Sequence, residues 1–367
     1  MILELFLAKA CVLFLLALIF SVLVNRLFLR FSRNLGIRNL DDKIIRWAST
    51  SKPSFGGISF FIVFLLVLTI GQFVFPDLGN TFDSKLIGIL LATASAFLVG
   101  LADDAYNTNP SLKFIAQFFC GLILVLTGTY IDLFQWDWAN YALTIFWVIG
   151  MMNSINMLDN MDAVATVSAI SAIACILIGM IYSQSLHSIY FLILLGLGGA
   201  LLGFLFFNWS PSRMYMGDTG SQFLGVLLAA LAIPFLWNFQ IEGTSEITRI
   251  VLVALAFVVP ISDTTTVTIN RLSRGDSPFV GGKDHTTHHL SYAGLAEQSV
   301  ALLLAGIGIL SAALSFIMLA ANHWTGLFTI LFGAYAILLF ISLFLVSRIS
   351  KAEKKQENYE NEVRKSA

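Results

Sequence analysis

Eleven apolar runs divide this chain of 367 residues, and nearly every strongly polar cluster falls in a gap between two of them. The runs lie near 4–24, 57–75, 86–102, 112–129, 139–157, 163–182, 189–207, 222–237, 247–269, 299–321 and 325–347. A membrane-spanning helix needs about 20 consecutive apolar residues. With 57% hydrophobic and only 12% charged residues, the chain lies outside the range of ordinary soluble globules. The expected fold is all-α, a polytopic integral-membrane helical bundle of about 11 transmembrane helices. Ten is the other count, since Ile131 to Asn140 separates the fourth and fifth runs only loosely.

The net charge of −1 says little about partners, but the placement of the basic residues says more. Lys9, Lys85 and Arg249 apart, all of the 21 Lys and Arg residues fall where one face of such a bundle would lie. Short loops rich in Lys and Arg stay in the cytoplasm. An odd number of spans then puts the N-terminus outside and the C-terminus inside. Residues 1–350 read as a single transmembrane domain with cytoplasmic loops at 25–55, 102–112, 153–163, 208–221 and 270–298; residues 351–367 read as a charged cytoplasmic tail. Glu4 stands where a signal peptide would carry basic residues, so the first span is expected to stay as an anchor. Cys11, Cys120 and Cys175 sit in three different apolar runs and read as small buried side chains, not as a disulfide framework or a zinc knuckle.

The inner gaps hold the chemistry. Asp103 and Asp104 end the third run; adjacent carboxylates repel unless a cation or a shared proton relieves them. They read as a divalent-metal site or general base facing phosphate, or as two solvated loop acids. Lys113 follows, able to snorkel to lipid headgroups or to reach a diphosphate from the side of the acids. Asn153, Asn156, Asp159 and Asp162 recur every three residues, which predicts a polar stripe on one helical turn after another. Their oxygens are the hard ligands that Mg²⁺ takes. In the segment from Asn208 to Ser221, Pro211 breaks a helix, while Gly217 and Gly220 flank Asp218 without bulk. Thr219 and Ser221 add hydroxyls there.

The longest inner loop, 270–298, carries Arg271, Arg274, Asp276, Asp284 and the run His285-Thr-Thr-His288-His289. Zinc would want a cysteine or a further histidine nearby, whereas imidazole with guanidinium suits phosphate oxygens. Asp263, near the end of the preceding run, either joins this group or anchors the helix end. In the first inner loop, Asp41, Asp42, Arg46, Lys52, Gly56 and Gly57 read as a lip for an anionic headgroup, or as an ordinary positive-inside loop. His187 and His323 fall in outer loops and read as bystanders.

In this order, Gly56-Gly57, Asp103-Asp104, Asn153…Asn156…Asp159…Asp162, Met216-Gly-Asp-Thr-Gly-Ser221 and His285…His288-His289 resemble the motifs of the polyprenyl-phosphate N-acetylhexosamine-1-phosphate transferases, a family of glycosyltransferase family 4 type. The resemblance runs from about residue 25 to 300 and implies transfer of a sugar 1-phosphate from a UDP-sugar to a membrane polyprenyl phosphate with release of UMP. It implies Mg²⁺, with Mn²⁺ able to substitute, and Asn156 and Asp218 as the metal ligands. Asp103, Asp104 and Asp159 are the implied catalytic carboxylates. Lys113, Asp162, Arg271, His285, His288 and His289 are the implied substrate contacts, Lys113 at the diphosphate and Asp162 on the uracil side. The implied location is a bacterial inner membrane, with the active site on its cytoplasmic face. Partners are a UDP-N-acetylhexosamine, polyprenyl phosphate and membrane lipid, with no nucleic acid; a homodimer is compatible with this class.

The spaced histidines point to the branch that uses UDP-N-acetylglucosamine to start cell-surface glycans; the peptidoglycan branch, with phospho-MurNAc-pentapeptide as the transferred group, is the alternative. Two departures from the pattern stand out: the usual Asp-Gly-x-Asp-Gly reads Asp159-Asn160-Met161-Asp162-Ala163, and Ala48 stands where many relatives have histidine. A transporter of cations or nucleotide-sugars is the rival from another class. Transport sites place ionisable groups near the bilayer midplane, and here they gather at the ends of the runs.

Overall fold

The computed structural model describes residues 2–32, 52–78, 83–241, 244–277, 282–321 and 325–366. Asp41, Asp42, Arg46, Ala48, Gly281 and His323 lie outside the described residues. Thirteen α-helices follow in order among the described residues: α1 (Ile2–Ser32), α2 (Gly56–Val74), α3 (Ser84–Tyr106), α4 (Pro110–Leu126), α5 (Asp137–Leu158), α6 (Val164–Tyr182), α7 (Ile189–Asn208), α8 (Gly217–Ala232), α9 (Glu246–Ala256), α10 (Val258–Leu272), α11 (Thr286–Tyr292), α12 (Glu297–Ala320) and α13 (Thr325–Ser366). No strand occurs among them. The all-α bundle is as expected.

Among the described residues, nine helical segments are long and apolar enough to cross a membrane. The two departures from eleven straight spans have local causes. The run at 247–269 is two helices meeting at 82°. Pro260, three residues after the Phe257 junction, has no N–H to continue the hydrogen-bond ladder. The fourth run forms a helix of only 17 residues, α4, roughly 25 Å long against a hydrocarbon core of about 30 Å. The last helix does not stop at 347 but continues through Ser366.

The central axis is α8, continued by a π-helical turn through Trp237; 94% of its apolar window is buried, against 11% for peripheral α13. Close backbone approach explains several small residues. A Cβ at Gly199 or Gly203 of α7 would come within 2.6 Å of the Phe14 or Leu18 carbonyl of α1, so this glycine pair lets the two helices touch. The same contact turns the rest of α1 outward, and Cys11 is exposed, contrary to expectation; Cys120 and Cys175 are buried.

Hydrogen bonds fix which helix ends share a face. Asp104 at the end of α3 meets Thr219 at the start of α8, and Asn156 near the end of α5 meets Asp218. The α7 terminus (Asn208) accepts from Ala163 ahead of α6, and Gln298 of α12 donates to the Ser210 carbonyl. At the other end, Lys9 of α1 reaches the Val74 carbonyl at the end of α2, and Arg249 of α9 reaches that of Trp237. The polar clusters in the described segments therefore converge on one end of the bundle.

Candidate active site

Asp218 is the second residue of α8, and two helices hold its position before any side chain acts. Gly57 of α2 lies against Gly220, and Gly100 of α3 against Asp218 and Thr219; a Cβ at either glycine would sit within 2.6 Å of α8 backbone. The first amides of α8 are taken by acids. Asp104 Oδ1 accepts from the Asp218 N–H at 3.0 Å, and its Oδ2 accepts from the Thr219 N–H at 2.9 Å and hydroxyl at 2.6 Å. A helix N-terminus often binds phosphate through such amides; here a carboxylate from α3 already occupies them.

Around Asp218 the side chains form a chain of charge and hydrogen bonds. Lys113 donates to Asp218 Oδ2 at 2.6 Å and to Asp103 Oδ2 at 2.7 Å. The other Asp103 oxygen accepts the N–H and hydroxyl of Thr108, so Asp103 is oriented by the αL turn at Asn107 that ends α3. The Asn156 amide donates to Asp218 Oδ1 and to the Ser221 hydroxyl, both at 2.9 Å. Asp159 caps the end of α5. Burial pushes its carboxyl well above the usual range, and the neighbouring charges of Asp218 and Asp104 add to that, while the Gly217 N–H opposes it.

The predicted single stripe does not form. Residues three apart advance about 300° on an α-helix, so each successive position falls back about 60°. Helix α5 also ends at Leu158. Asn153 accordingly faces Gln117, Asn156 faces Asp218, and Asp162 turns to Ser212 in the segment between α7 and α8. There its carboxylate accepts the Ser212 N–H at 2.8 Å and hydroxyl at 2.6 Å, with Lys52 3.6 Å away. Lys52 also donates to Ser212 and lies over the Tyr215 ring. Gly56 and Gly57 spend their N–H groups on the Tyr215 and Met216 carbonyls, so these glycines pack helices together instead of presenting a lip. Gly217, at φ 77°, and Gly220 likewise meet Asp104 and α2.

The histidine segment forms a second, buried cluster. Asp263 accepts from the Thr286 N–H at 2.7 Å and hydroxyl at 2.6 Å, and pairs with His285 Nδ1 at 2.9 Å. Arg271 grips Asp284 with two nitrogens, at 3.1 and 2.7 Å, and Arg274 adds a third contact. These guanidinium groups hold the Asp284 carboxyl well below its ordinary value, against the cost of its partial burial. His285, His288 and His289 are all buried. Burial, with the nearby His285, pushes His288 down to about 3, so its ring stays neutral at physiological pH. The Thr287 hydroxyl ties this cluster to the acidic turn, donating to Asn160 Oδ1 at 2.7 Å. Asn160 stood out in the sequence only as a departure from the family pattern; Thr287, Thr108, Ser212, Gln117 and Gln222 were not singled out, because polar residues of these types are common and only the fold pairs them.

Ala163 sits at φ 67°, left-handed backbone that costs a non-glycine residue roughly 1–2 kcal/mol. Its N–H is held by Asn208, which also takes the Thr166 hydroxyl, so the turn cannot relax. Ala163→Gly is expected to stabilise the protein by about 1 kcal/mol. A raised thermal midpoint in detergent would register it; a lowered one would mean that the methyl group packs better than the backbone suffers.

The donor set suits a hard cation. Asp103, Asp104, Asp159 and Asp218 converge with Lys113 as the cationic side chain among them, leaving excess negative charge. Among the described residues, no three His, Cys, Asp or Glu side chains are arranged to hold a metal by themselves. Carboxylate and carboxamide oxygens are of the kind Mg²⁺ takes, typically one or two protein carboxylates with water and substrate phosphate completing its shell.

Residues 86–236 match the family model described as glycosyl transferase family 4. A probable undecaprenyl-phosphate N-acetylglucosaminyl 1-phosphate transferase from Bacillus subtilis (strain 168) is 27% identical over 303 residues, covering 80% of this chain and 78% of the relative. Phospho-N-acetylmuramoyl-pentapeptide-transferases from Bacillus mycoides (strain KBAB4) and Bacillus thuringiensis (strain Al Hakam) are each 27% identical over 322 residues, covering 81% of this chain and 94% of theirs. The resemblance read from the order of the motifs is borne out, and with these helices the chain is a multi-pass membrane protein.

Proposed function

We propose that this chain transfers an N-acetylhexosamine 1-phosphate, with N-acetylglucosamine the first choice, from a UDP-sugar to undecaprenyl or a similar polyprenyl phosphate. UMP is released, and the step opens the membrane stage of a cell-surface glycan. The observation that carries the reading is the Lys113 ammonium held between Asp103 and Asp218 at the mouth of a membrane bundle, with Asn156 on the other Asp218 oxygen. Relatives named for both sugar donors stand at the same identity, and the one named for N-acetylglucosamine agrees with the spaced histidines. The site would face the cytoplasm, where the basic loops and a UDP-sugar would both lie.

An oxygen of the lipid phosphate bonds to the β-phosphorus of the UDP-sugar. The bond from that phosphorus to the bridging oxygen breaks, and its electron pair leaves with UMP. Most of the work asked of protein here is positioning and charge neutralisation. Lys113 binds diphosphate oxygens and balances the charge that grows on the leaving UMP. Asp103 aims Lys113, and Asp104 holds the start of α8 so that Asp218 faces the same point. Asp218 and Asn156 would hold Mg²⁺, which supplies charge neutralisation at the diphosphate. A lipid phosphate is already ionised at neutral pH, so no strong base is needed. Asp162 shapes the wall through Ser212 and Lys52. Asn160, bonded to Thr287, sets the histidine helix beside that wall, where it would meet the sugar phosphate.

The test is a donor panel with purified protein in detergent: UDP-N-acetylglucosamine, its galactose epimer and UDP-MurNAc-pentapeptide, each with and without Mg²⁺ and polyprenyl phosphate. UMP is expected only when both are present, and fastest with UDP-N-acetylglucosamine. Release from the pentapeptide donor alone would move the chain to the peptidoglycan reaction. No UMP from any donor would remove the transferase reading.

A further inference from the structure

One helical turn beneath the ion pairs lies a layer made of amides. Gln117 of α4 is one turn below Lys113, Asn153 of α5 one turn below Asn156, and Gln222 of α8 one turn below Asp218. Gln117 Nε2 donates to Gln222 Oε1 at 3.1 Å and to Asn153 Oδ1 at 3.3 Å, and Gln117 Oε1 accepts from Asn153 Nδ2 at 2.8 Å. Gln117 is 1% exposed and Gln222 fully buried. Each of the three helices thus carries a site residue with an amide directly under it.

Helix α4 needs such a device more than its neighbours do. At 17 residues it falls short of the nine described segments long enough to cross a membrane, and its buried residues are Gln117, Cys120, Gly121 and Leu124. Cys120 donates to the Ala92 carbonyl of α3 at 3.5 Å, a long contact from a weak donor, and Gly121 lets α4 lie close against Ile145 of α5. Gln117 is the polar member of that stripe and the one nearest Lys113. Its hydrogen bonds fix both the height and the rotation of α4 against α5 and α8. Apolar side chains of similar volume would bury as well, so burial alone does not account for three amides. Hydrogen bonds between membrane helices contribute little to stability on average. Misplacing a reacting group by about 1 Å can cost around 100-fold in rate.

We infer that Gln117 is a positioning residue for the reaction proposed above: through Asn153 and Gln222 it sets α4 so that the Lys113 ammonium falls between Asp103 and Asp218. This rests on the transferase reading for its catalytic consequence, but the placement of Lys113 can be measured without it. The variant is Gln117→Met, which keeps the volume and removes the hydrogen bonds. Gln222→Met is the second variant, in case the first does not fold. It removes one acceptor of Gln117 and also deletes Gln222 Nε2, a buried donor with no partner among the described residues.

Two readouts apply. Amine acetylation followed by mass spectrometry reports how tightly Lys113 is held, with Lys52, paired elsewhere to Asp162 and Ser212, as the internal control. In Gln117→Met the ratio of Lys113 to Lys52 labelling is expected to rise at least about fivefold, and in Gln222→Met in the same direction but less. The second readout is UMP release per folded molecule: kcat falls by about 10- to 100-fold, while KM for the UDP-sugar stays within about twofold. An unchanged labelling ratio in both variants overturns the inference. So does a loss of rate that merely follows loss of folded protein. If labelling shifts as expected but the wild-type protein releases no UMP, Gln117 still positions Lys113 and the transferase reading is what falls.

Discussion

Asp218→Ala is expected to lower the rate of UMP release by about 10³-fold, the upper end of what removing one charge-stabilising group from an active site costs. The carboxylate is where the site's three strands of contact meet: Lys113 on one oxygen, the Asn156 amide on the other, and the start of α8 beneath it. Without it, Lys113 keeps only Asp103 and swings toward it, and the hard-oxygen pair proposed for Mg²⁺ loses its charged member. The fold has no comparable stake in this side chain. It is 28% exposed, its backbone N–H remains capped by Asp104, and Asn156 still has Ser221. Unchanged yield and thermal midpoint are therefore expected alongside the lost rate. Asp218→Asn refines the test, because it keeps the shape and one of the two acceptor oxygens, the one that can still serve either Lys113 or Asn156, and removes the charge. A loss in Asn as deep as in Ala means that a charged group accepting on both oxygens is required. Rates near wild type in both variants would eliminate Asp218 as the centre of the site.

The bundle was legible from the sequence because a membrane span needs its apolar length in one piece, and each expected run contains a helix. Asp218, Asn156 and Lys113 were legible as a group, since residues at the same end of neighbouring spans are forced together, and their contacts are direct. What the sequence hid is of two kinds. Spacing misled at Asn153 to Asp162, where a repeat of three drifts around a helix that in any case stops at Leu158. Partnership was invisible elsewhere. Asp104 and Asp103 are adjacent and chemically identical, yet one caps α8 and the other orients a lysine, a division decided only by which helix packs opposite each. Likewise, nothing local marks Gln117 and Gln222, 105 residues apart, as bonded neighbours. The bend at Phe257 had a visible cue in Pro260, which a reading by hydropathy alone passes over.

The same convergence makes Gly57 the position where the smallest addition should do the most structural harm. Gly57→Ala places a methyl group 2.1 Å from the Gly220 nitrogen and 2.5 Å from its Cα. Both obstacles are backbone, so no rotamer change relieves them and one helix must move. Movement is resisted on both sides. The Gly57 N–H is bonded to the Met216 carbonyl at 2.9 Å, and α8 is backed by α3, where Gly100 allows no retreat from Asp218 and Thr219. Alanine gains about 1 kcal/mol of helix propensity over glycine. Overpacking, backbone shifts included, typically costs about 1–3 kcal/mol, and a clash against backbone on two sides lies at the upper end. The clash wins, and a net loss of about 2 kcal/mol is expected, read as a lower thermal midpoint and a lower yield of monodisperse protein. Gly306→Ala in α12 is the control: a Cβ there meets nothing within 4 Å, so propensity alone acts and stability holds or rises. Any Gly57→Ala protein that still folds carries α8 displaced away from α2, and Asp218 with it. Its rate of UMP release should fall further than its folded fraction. A variant with the wild-type midpoint and rate would mean that α2 and α8 do not touch at these glycines, and the acid-capped start of α8 would lose the wall that holds it in place.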